Sequence, residues 1–206
     1  MRKMYLSAPL PFVGQKRMLA KEFMKVLEQY PDGTLFVDLF GGSGLLSHIT
    51  KSLKPHSTVI YNDFDNYRFR MKHIPQTNQL LADIREMVGN SVPRHKIIKG
   101  ELRERIFSRI EQEENSTGYV DFITLSSSIL FSMKYKLSVQ DMRKEALYNN
   151  IRKTGYPECT DYLEGLEIVS CDYKEVFNRY KDIPGVVFLV DPPYLSTDVG
   201  TYNMYW

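Results

Sequence analysis

The feature that most limits the fold is an apolar run broken by glycines and followed, after a helical stretch, by a second apolar run. "TLFVDLF" at 34–40 reads as a short buried strand, and "GGSG" at 41–44 ends it. Leu45, Leu46, Ile49 and Leu53 then fall at helix spacing until Pro55, and "STVIYND" at 57–63 is a second strand. A strand–glycine turn–helix–strand unit of this kind implies a parallel sheet with a right-handed crossover, so the fold class is α/β. Two further segments of the same character come much later. They are "LEIVSCDY" at 166–173, with a short helix around 174–180, and "GVVFLV" at 185–190. Upstream, Met18, Leu19, Phe23, Val26, Leu27 and Tyr30 mark an amphipathic helix ended by "PDG", and Met18 and Met24 read as core.

Between about 76 and 163 the pattern changes. Leu80, Leu81, Ile84, Met87 and Val88 predict one helix, and Ile98, Leu102, Ile106, Phe107 and Ile110 a second. "FITLSSSILFSM" at 122–133 reads as a buried helix, although Ser126, Ser127 and Ser128 weaken it. No strand alternation is visible. The expected organisation is one discontinuous α/β domain, 1–75 with 164–206, carrying a mostly helical insert at 76–163.

A chain of 206 residues with 43% hydrophobic content can bury a substantial core. A net charge of +2 from 27 basic and 25 acidic residues neither demands nor excludes nucleic acid. Cys159 and Cys171 form no Cys-x-x-Cys pair, so neither a metal site nor a disulfide framework is expected. The first residues lack an apolar leader and no run approaches the ~18 apolar residues of a membrane span. The cytoplasm is the expected compartment. His48 and His56 read as ordinary surface or helix residues rather than ligands.

Gly42 and Gly44 sit where a strand meets a helix, which lets the backbone turn tightly and a ligand come close. Asp38 lies inside the preceding strand, a poor neighbour for a phosphate and a good one for a cationic group. Asp63 ends the second strand, where an acid can accept from ribose hydroxyls. Alone, the loop leaves a structural turn, a nicotinamide or flavin site and another nucleoside site all open. The dinucleotide pattern wants a third glycine or alanine where this chain has Ser47.

"VVFLVDPPY" adds a second motif. Prolines 192 and 193 remove backbone donors and fix the chain direction. Asp191 is then held at a strand tip, where the carbonyls of Asp191 and Pro192 are acceptors without a ladder partner, next to the ring of Tyr194. Such a set suits a planar group bearing an amine, although an isolated Asp-Pro-Pro-Tyr also reads as a surface turn.

The two motifs in this order resemble DNA adenine-N6 methyltransferases of the Dam type, the S-adenosylmethionine-dependent, Asp-Pro-Pro-Tyr class. "PFVGQKRML" resembles the family's first cofactor segment, "FVDLFGGSG" its cofactor loop, "VIYNDFD" its ribose segment and "VSCDY" the segment touching the cofactor's adenine. The resemblance implies a Rossmann-like methyltransferase sheet with an inserted target-recognition region. It implies S-adenosylmethionine as donor, S-adenosylhomocysteine as product, site-specific methylation of double-stranded DNA and, in restriction–modification systems, a partner restriction endonuclease. Gly14 and Lys16 would flank the methionine end of the cofactor. Asp38, Phe40, Gly42 and Gly44 would shape the loop, Asp63 would take the ribose and Asp172 the adenine amine. Asp191 would accept from the target amine and border the cofactor, helped by the Pro192 carbonyl, and Tyr194 would stack on the flipped base. Methylation of another planar amine, cytosine or RNA adenine, is one alternative, and a non-catalytic DNA- or cofactor-binding remnant is another.

In the insert, the family's Asn-Arg and Phe-Asn-Gly phrases are missing and "FITLSSSILFSM" stands in their place. Candidate phosphate contacts are Lys96 and Lys99, beside Arg94 and His95, and Lys134, Lys136, Arg143, Arg152 and Lys153, with Lys144 nearby. Many acids lie close by, so a merely solvated charged face is the competing reading. The family's members continue past Asp-Pro-Pro-Tyr, so the sheet is expected to be incomplete at the C-terminus and the chain to be a truncated, weakly active form.

Overall fold

The two apolar runs flanking the glycine loop pair side by side and parallel, with Phe36 opposite Val59 and Asp38 opposite Tyr61. The computed structural model describes residues 3–14, 16–131 and 134–192. In chain order the elements are α1 (Ala20–Glu28), β1 (Phe36–Asp38), α2 (Leu45–Leu53), β2 (Val59–Asn62), α3 (Tyr67–Lys72), α4 (Ile74–Val88), β3 (Ile97–Ile98), α5 (Gly100–Thr117), α6 (Phe122–Ile129), α7 (Val139–Arg143), β4 (Leu147–Tyr148), β5 (Glu167–Val169), α8 (Tyr173–Tyr180) and β6 (Val187–Leu189). A 3-10 turn at Arg17–Leu19 precedes α1. The chain divides into two compact units, the described residues of Met1–Met71 with Cys159–Trp206, and Lys72–Glu158. The sequence reading drew the corresponding divisions at 75/76 and 163/164.

The first unit is built on a parallel sheet with strand order β5-β2-β1-β6. Side chains alternate across a strand, so each face collects every second residue. Phe36, Val59 and Leu189 face one side, where Ala20, Leu27, Leu45 and Ile49 of α1 and α2 cover them. Val37 and Ile60 face the other, against Val176 of α8. A sheet covered on both faces explains why these strands read as continuous apolar runs rather than alternating ones. The Rossmann-like α/β sheet expected from the sequence is therefore present, and β6 lies at its margin among the described residues.

The segment before α1 is tied down by polar contacts that reach far along the chain. The Tyr67 hydroxyl donates to the Leu10 carbonyl at 3.1 Å and accepts from the Leu10 N–H at 2.9 Å, while Arg70 donates to the Pro11 carbonyl at 2.8 Å. The Tyr5 N–H donates to Nε2 of His48 at 2.9 Å. Nδ1 of that ring therefore carries the hydrogen and donates to the Tyr162 carbonyl at 2.7 Å. His48 also stacks on Tyr162, with ring centroids 4.6 Å apart. It is a buried clamp inside α2, not a surface residue as one reading of the sequence had it. Met18 departs from expectation the other way: it is 85% exposed. The 3-10 turn winds more tightly than the α-helix after it, so 18 falls off the stripe that carries Ala20, Phe23, Met24 and Leu27 inward.

In the second unit α4 packs on α5 and α6, and α5 packs on α7. α4 begins at Ile74, earlier than the apolar spacing predicts, because Pro75 suits the first turn of a helix. The serines of α6 are tolerated because Ser127 and Ser128 donate to the Thr124 carbonyl at 2.8 and 2.9 Å, and Ser126 donates to the Ile123 carbonyl at 3.2 Å. Asp121 caps this helix through the Thr124 N–H at 3.1 Å. β3 and β4 form a two-residue antiparallel pair, too short to show an alternating pattern in the sequence.

Candidate active site

In a parallel sheet all strands present their carboxyl ends on one side, which is where ligands of open α/β folds bind. Here that side carries Asp38 at the end of β1, Asp63 after β2, Asp172 after β5 and Asp191 after β6.

The glycine loop sits at the tip of β1. Gly44 caps α2 in the left-handed region, φ 71°, and Gly42 has φ 49°. A side chain at Gly42 would meet the Phe12 ring at 3.0 Å and one at Gly44 would meet Leu163 at 3.0 Å. Gly41 is the tightest: a Cβ there would stand 2.3 Å from the Tyr61 ring and 2.7 Å from the Asn62 carbonyl. The loop is thus pressed against β2, and the Tyr61 hydroxyl, 2.8 Å from the Gly42 carbonyl, holds it there.

Asp38 is 1% exposed, and its Oδ2 accepts from the Ser47 hydroxyl at 2.7 Å. Its Oδ1 has no hydrogen-bond partner among the described residues. Burial pushes its carboxyl up to about 7; the Ser47 hydrogen bond opposes this and the charge of Asp191 adds to it. Ser47 is the residue that breaks the dinucleotide pattern, and its hydroxyl has a use a third glycine could not serve.

Asp63 is 4% exposed and accepts from two backbone donors, the Tyr67 N–H at 2.6 Å on Oδ1 and the Arg68 N–H at 3.1 Å on Oδ2, while Oδ1 also lies 3.0 Å from the Tyr61 hydroxyl, whose one hydrogen it shares with the Gly42 carbonyl. It holds the first turn of α3, and burial raises its pKa against those hydrogen bonds. Asp172 is exposed and caps α8 by accepting from the Lys174 N–H at 2.8 Å. Phe40 packs against Tyr173, with centroids 4.8 Å apart, so an aromatic pair bridges the segments after β1 and β5.

Asp191 meets the start of the chain. Lys16 Nζ lies 2.9 Å from its Oδ2 and donates to the Gly14 carbonyl at 3.0 Å. Gly14, Lys16, Asp38, Gly42 and Asp191 are brought to the tips of the adjacent strands β1 and β6, with Phe12 against the loop. Pro192 is exposed at the same tip, and Tyr194 and Pro193 lie outside the described residues.

Sequence reasoning missed Tyr61 and Asn62. Asn62 donates to the Leu39 and Cys171 carbonyls at 3.0 and 2.9 Å and accepts from the Cys171 N–H at 3.1 Å, tying together the ends of three strands. A polar residue at the end of an otherwise apolar strand was the available signal. Among the described residues no group of three or more His, Cys, Asp and Glu could hold a metal ion, and no helix is long and apolar enough to cross a membrane.

The candidate nucleic-acid residues all lie in the second unit. Lys134 and Lys136 both pair with Glu145, at 2.6 and 3.1 Å, and Arg143 pairs with Glu104 and Glu111 at 2.7 and 3.0 Å while covering the Phe107 ring. Arg152 lies 4.4 Å over the Tyr156 ring. Lys96, Lys99 and Lys153 are exposed and make no ion pair among the described residues. The Ile97–Tyr148 pairing and the contact from the Arg94 side chain to the Ile151 carbonyl, 2.9 Å, bring the 94–99 and 149–153 segments side by side.

A doubly covered parallel sheet whose strand ends gather a glycine loop, four acids and a lysine defines the class: a Rossmann-like α/β fold. The chain belongs to the D12 class N6 adenine-specific DNA methyltransferase family, which it matches over residues 12–206. Its activity is accordingly methylation of adenine in DNA. A protein of Haemophilus influenzae strain Rd, provisionally named a methyltransferase, is 40% identical over 206 residues, covering 98% of this chain and 69% of its own length.

Proposed function

We propose that the strand-tip cluster is the methyl-transfer site and that S-adenosylmethionine is the donor. One feature of the strand tips fits that cofactor: the buried Asp38 Oδ1 has no hydrogen-bond partner among the described residues and suits a cationic ligand. Gly14, Phe40, Gly42 and Gly44 would wall the cofactor, Asp38 would face its positive charge, and Asp172 would accept from its adenine amine. Asp63 supports the site by fixing Tyr61 and α3, and has one acceptor position left for a ribose hydroxyl. Held by these residues, the cofactor would supply an electrophilic methyl group to the adenine nitrogen, its sulfur being the leaving group.

The protein's part is positioning. An exocyclic amine is a weak nucleophile because its lone pair is spread into the ring. Asp191 and the Pro192 carbonyl, accepting from its two hydrogens, draw the nitrogen toward a tetrahedral shape, and Asp191 is the first acceptor for the proton the nitrogen must lose. Tyr194 would stack on the extruded base. The observation that carries this reading is the proximity of the chain's first segment, the glycine loop and Asp191 at neighbouring strand tips. Lys96, Lys99, Arg152 and Lys153 are the phosphate contacts we favour in double-stranded DNA, because they hold no internal acid; Lys134, Lys136 and Arg143 are secondary contacts. The cytoplasm is the matching compartment.

Transfer of labelled methyl from S-adenosylmethionine to plasmid DNA, followed by nucleoside analysis, tests the assignment. Asp191→Ala should lower transfer by about 10³-fold while calorimetry still detects S-adenosylhomocysteine binding. Wild-type rates in that variant would remove Asp191 from the chemistry.

A further inference from the structure

Lys16 stands in a segment whose resemblance assigns it to the cofactor, yet its charge is committed elsewhere. Nζ lies 2.9 Å from Asp191 Oδ2, with the two side chains 17% and 24% exposed. The same ammonium is held from behind by the Gly14 carbonyl at 3.0 Å. The backbone at Lys16 is itself fixed, because its carbonyl accepts from the Leu19 N–H at 2.9 Å and so opens the 3-10 turn. By contrast, Asp191 receives no backbone N–H among the described residues, and Pro192 cannot offer one. Among the described residues, the Lys16 ammonium is the contact that orients its carboxylate.

We infer that Lys16 is a positioning residue for Asp191: it pins Oδ2, so that Oδ1 is presented to the target amine. An ammonium donates up to three hydrogen bonds and accepts none, so one can anchor on Gly14 while another fixes the carboxylate. The positive charge also separates Asp191 from Asp38, whose buried carboxyl lies within electrostatic reach. The inference rests on the proposed role of Asp191 and deepens it.

Lys16→Met, Lys16→Arg, Asp191→Asn and the Lys16→Met/Asp191→Asn double variant decide the matter. Lys16→Met should lower kcat on DNA by about 10²-fold, the scale of a misplaced reacting group. KM for DNA and the Kd for S-adenosylhomocysteine should stay within about threefold, a factor worth less than 1 kcal/mol. Lys16→Arg, which keeps a donor and a charge, should recover most of the loss. In the Asp191→Asn background the same lysine change should have no further effect. A Kd for S-adenosylhomocysteine that worsens in step with kcat would assign Lys16 to the cofactor and overturn the inference. Independent, additive losses in the double variant, or a fully active Lys16→Met, would overturn it too. Wild-type activity in Asp191→Asn alone would instead sink the underlying reading of Asp191. Retained S-adenosylhomocysteine binding serves in each variant as the check that the fold is intact.

Discussion

The two units handle charge in opposite ways. In the second unit several acids and cations are matched at the surface, with Lys96, Lys99 and Lys153 left outside these pairs. Arg109 joins Asp83 and Glu113 at 2.8 Å each, Arg143 joins Glu104 and Glu111, and Glu145 holds two lysines. In the first unit, four acids converge on the strand tips with Lys16 beside them, and one oxygen of the buried Asp38 has no hydrogen-bond partner among the described residues. Exposed pairs contribute little to stability, whereas a buried carboxylate short of donors costs stability. The difference matches the proposed role of the strand tips: an under-satisfied buried carboxyl stands where a cationic ligand is proposed to bind, while the acids of the second unit are taken up by its own cations.

The largest effect that would sharpen this contrast belongs to Asp38. Its folded pKa, about 7, lies above the ordinary 3.8, so its stabilising contribution is complete below 3.8 and is lost as pH rises through about 7. Asp38→Asn should therefore raise stability at pH 8, with a ceiling of about 4 kcal/mol, and flatten the pH dependence of denaturant unfolding between 4 and 7. In the wild type, affinity for the cationic S-adenosylmethionine should climb with pH, by up to about tenfold per unit below 7, and level off above it. A flat affinity across that window would break the comparison. Next comes Gly41→Ala, which drives a Cβ into the Tyr61 ring; about 1–3 kcal/mol of overpacking cost is expected in thermal unfolding, together with weaker cofactor binding. In the second unit, Lys96→Ala, Lys99→Ala and Lys153→Ala should each reduce the slope of log K against log salt for DNA by about 1. Lys134→Ala should change it less. The smallest effect should be Glu145→Gln: it frees Lys134 and Lys136 and should tighten DNA binding severalfold at low salt. Equal salt slopes for Lys96→Ala and Lys134→Ala would show that the internal pairs do not shield the second unit.

What could be read from the sequence was whatever repeats or punctuates. The four strands carry apolar runs, the loop carries glycines, and the acids stand at the ends of those runs, so sheet and strand-tip acids are legible in the sequence. Boundaries moved where local geometry intervened, as at Met18 in its 3-10 turn and at Ile74, where Pro75 starts a helix early. Residues acting through single long-range polar contacts were not visible. Tyr5, His48 and Tyr162 form one stacked and hydrogen-bonded group from three distant places in the chain, and no period connects them. Charge pairing was equally hidden: Lys134 and Arg143 look like neighbours of Lys153 in a basic stretch until their acid partners are placed.

The tethering of the first residues has a consequence for biosynthesis. The arm that carries Tyr5 and Leu10 is synthesised well before its anchors: Tyr67, then Asp161, whose carboxylate takes the Tyr5 hydroxyl at 2.8 Å. β6, the neighbour of β1, comes later still. At ~5–20 residues per second, the arm must wait on the order of ten seconds for its last anchors, so a nascent chain that stalls inside the second unit should carry an unfinished, protease-sensitive first unit.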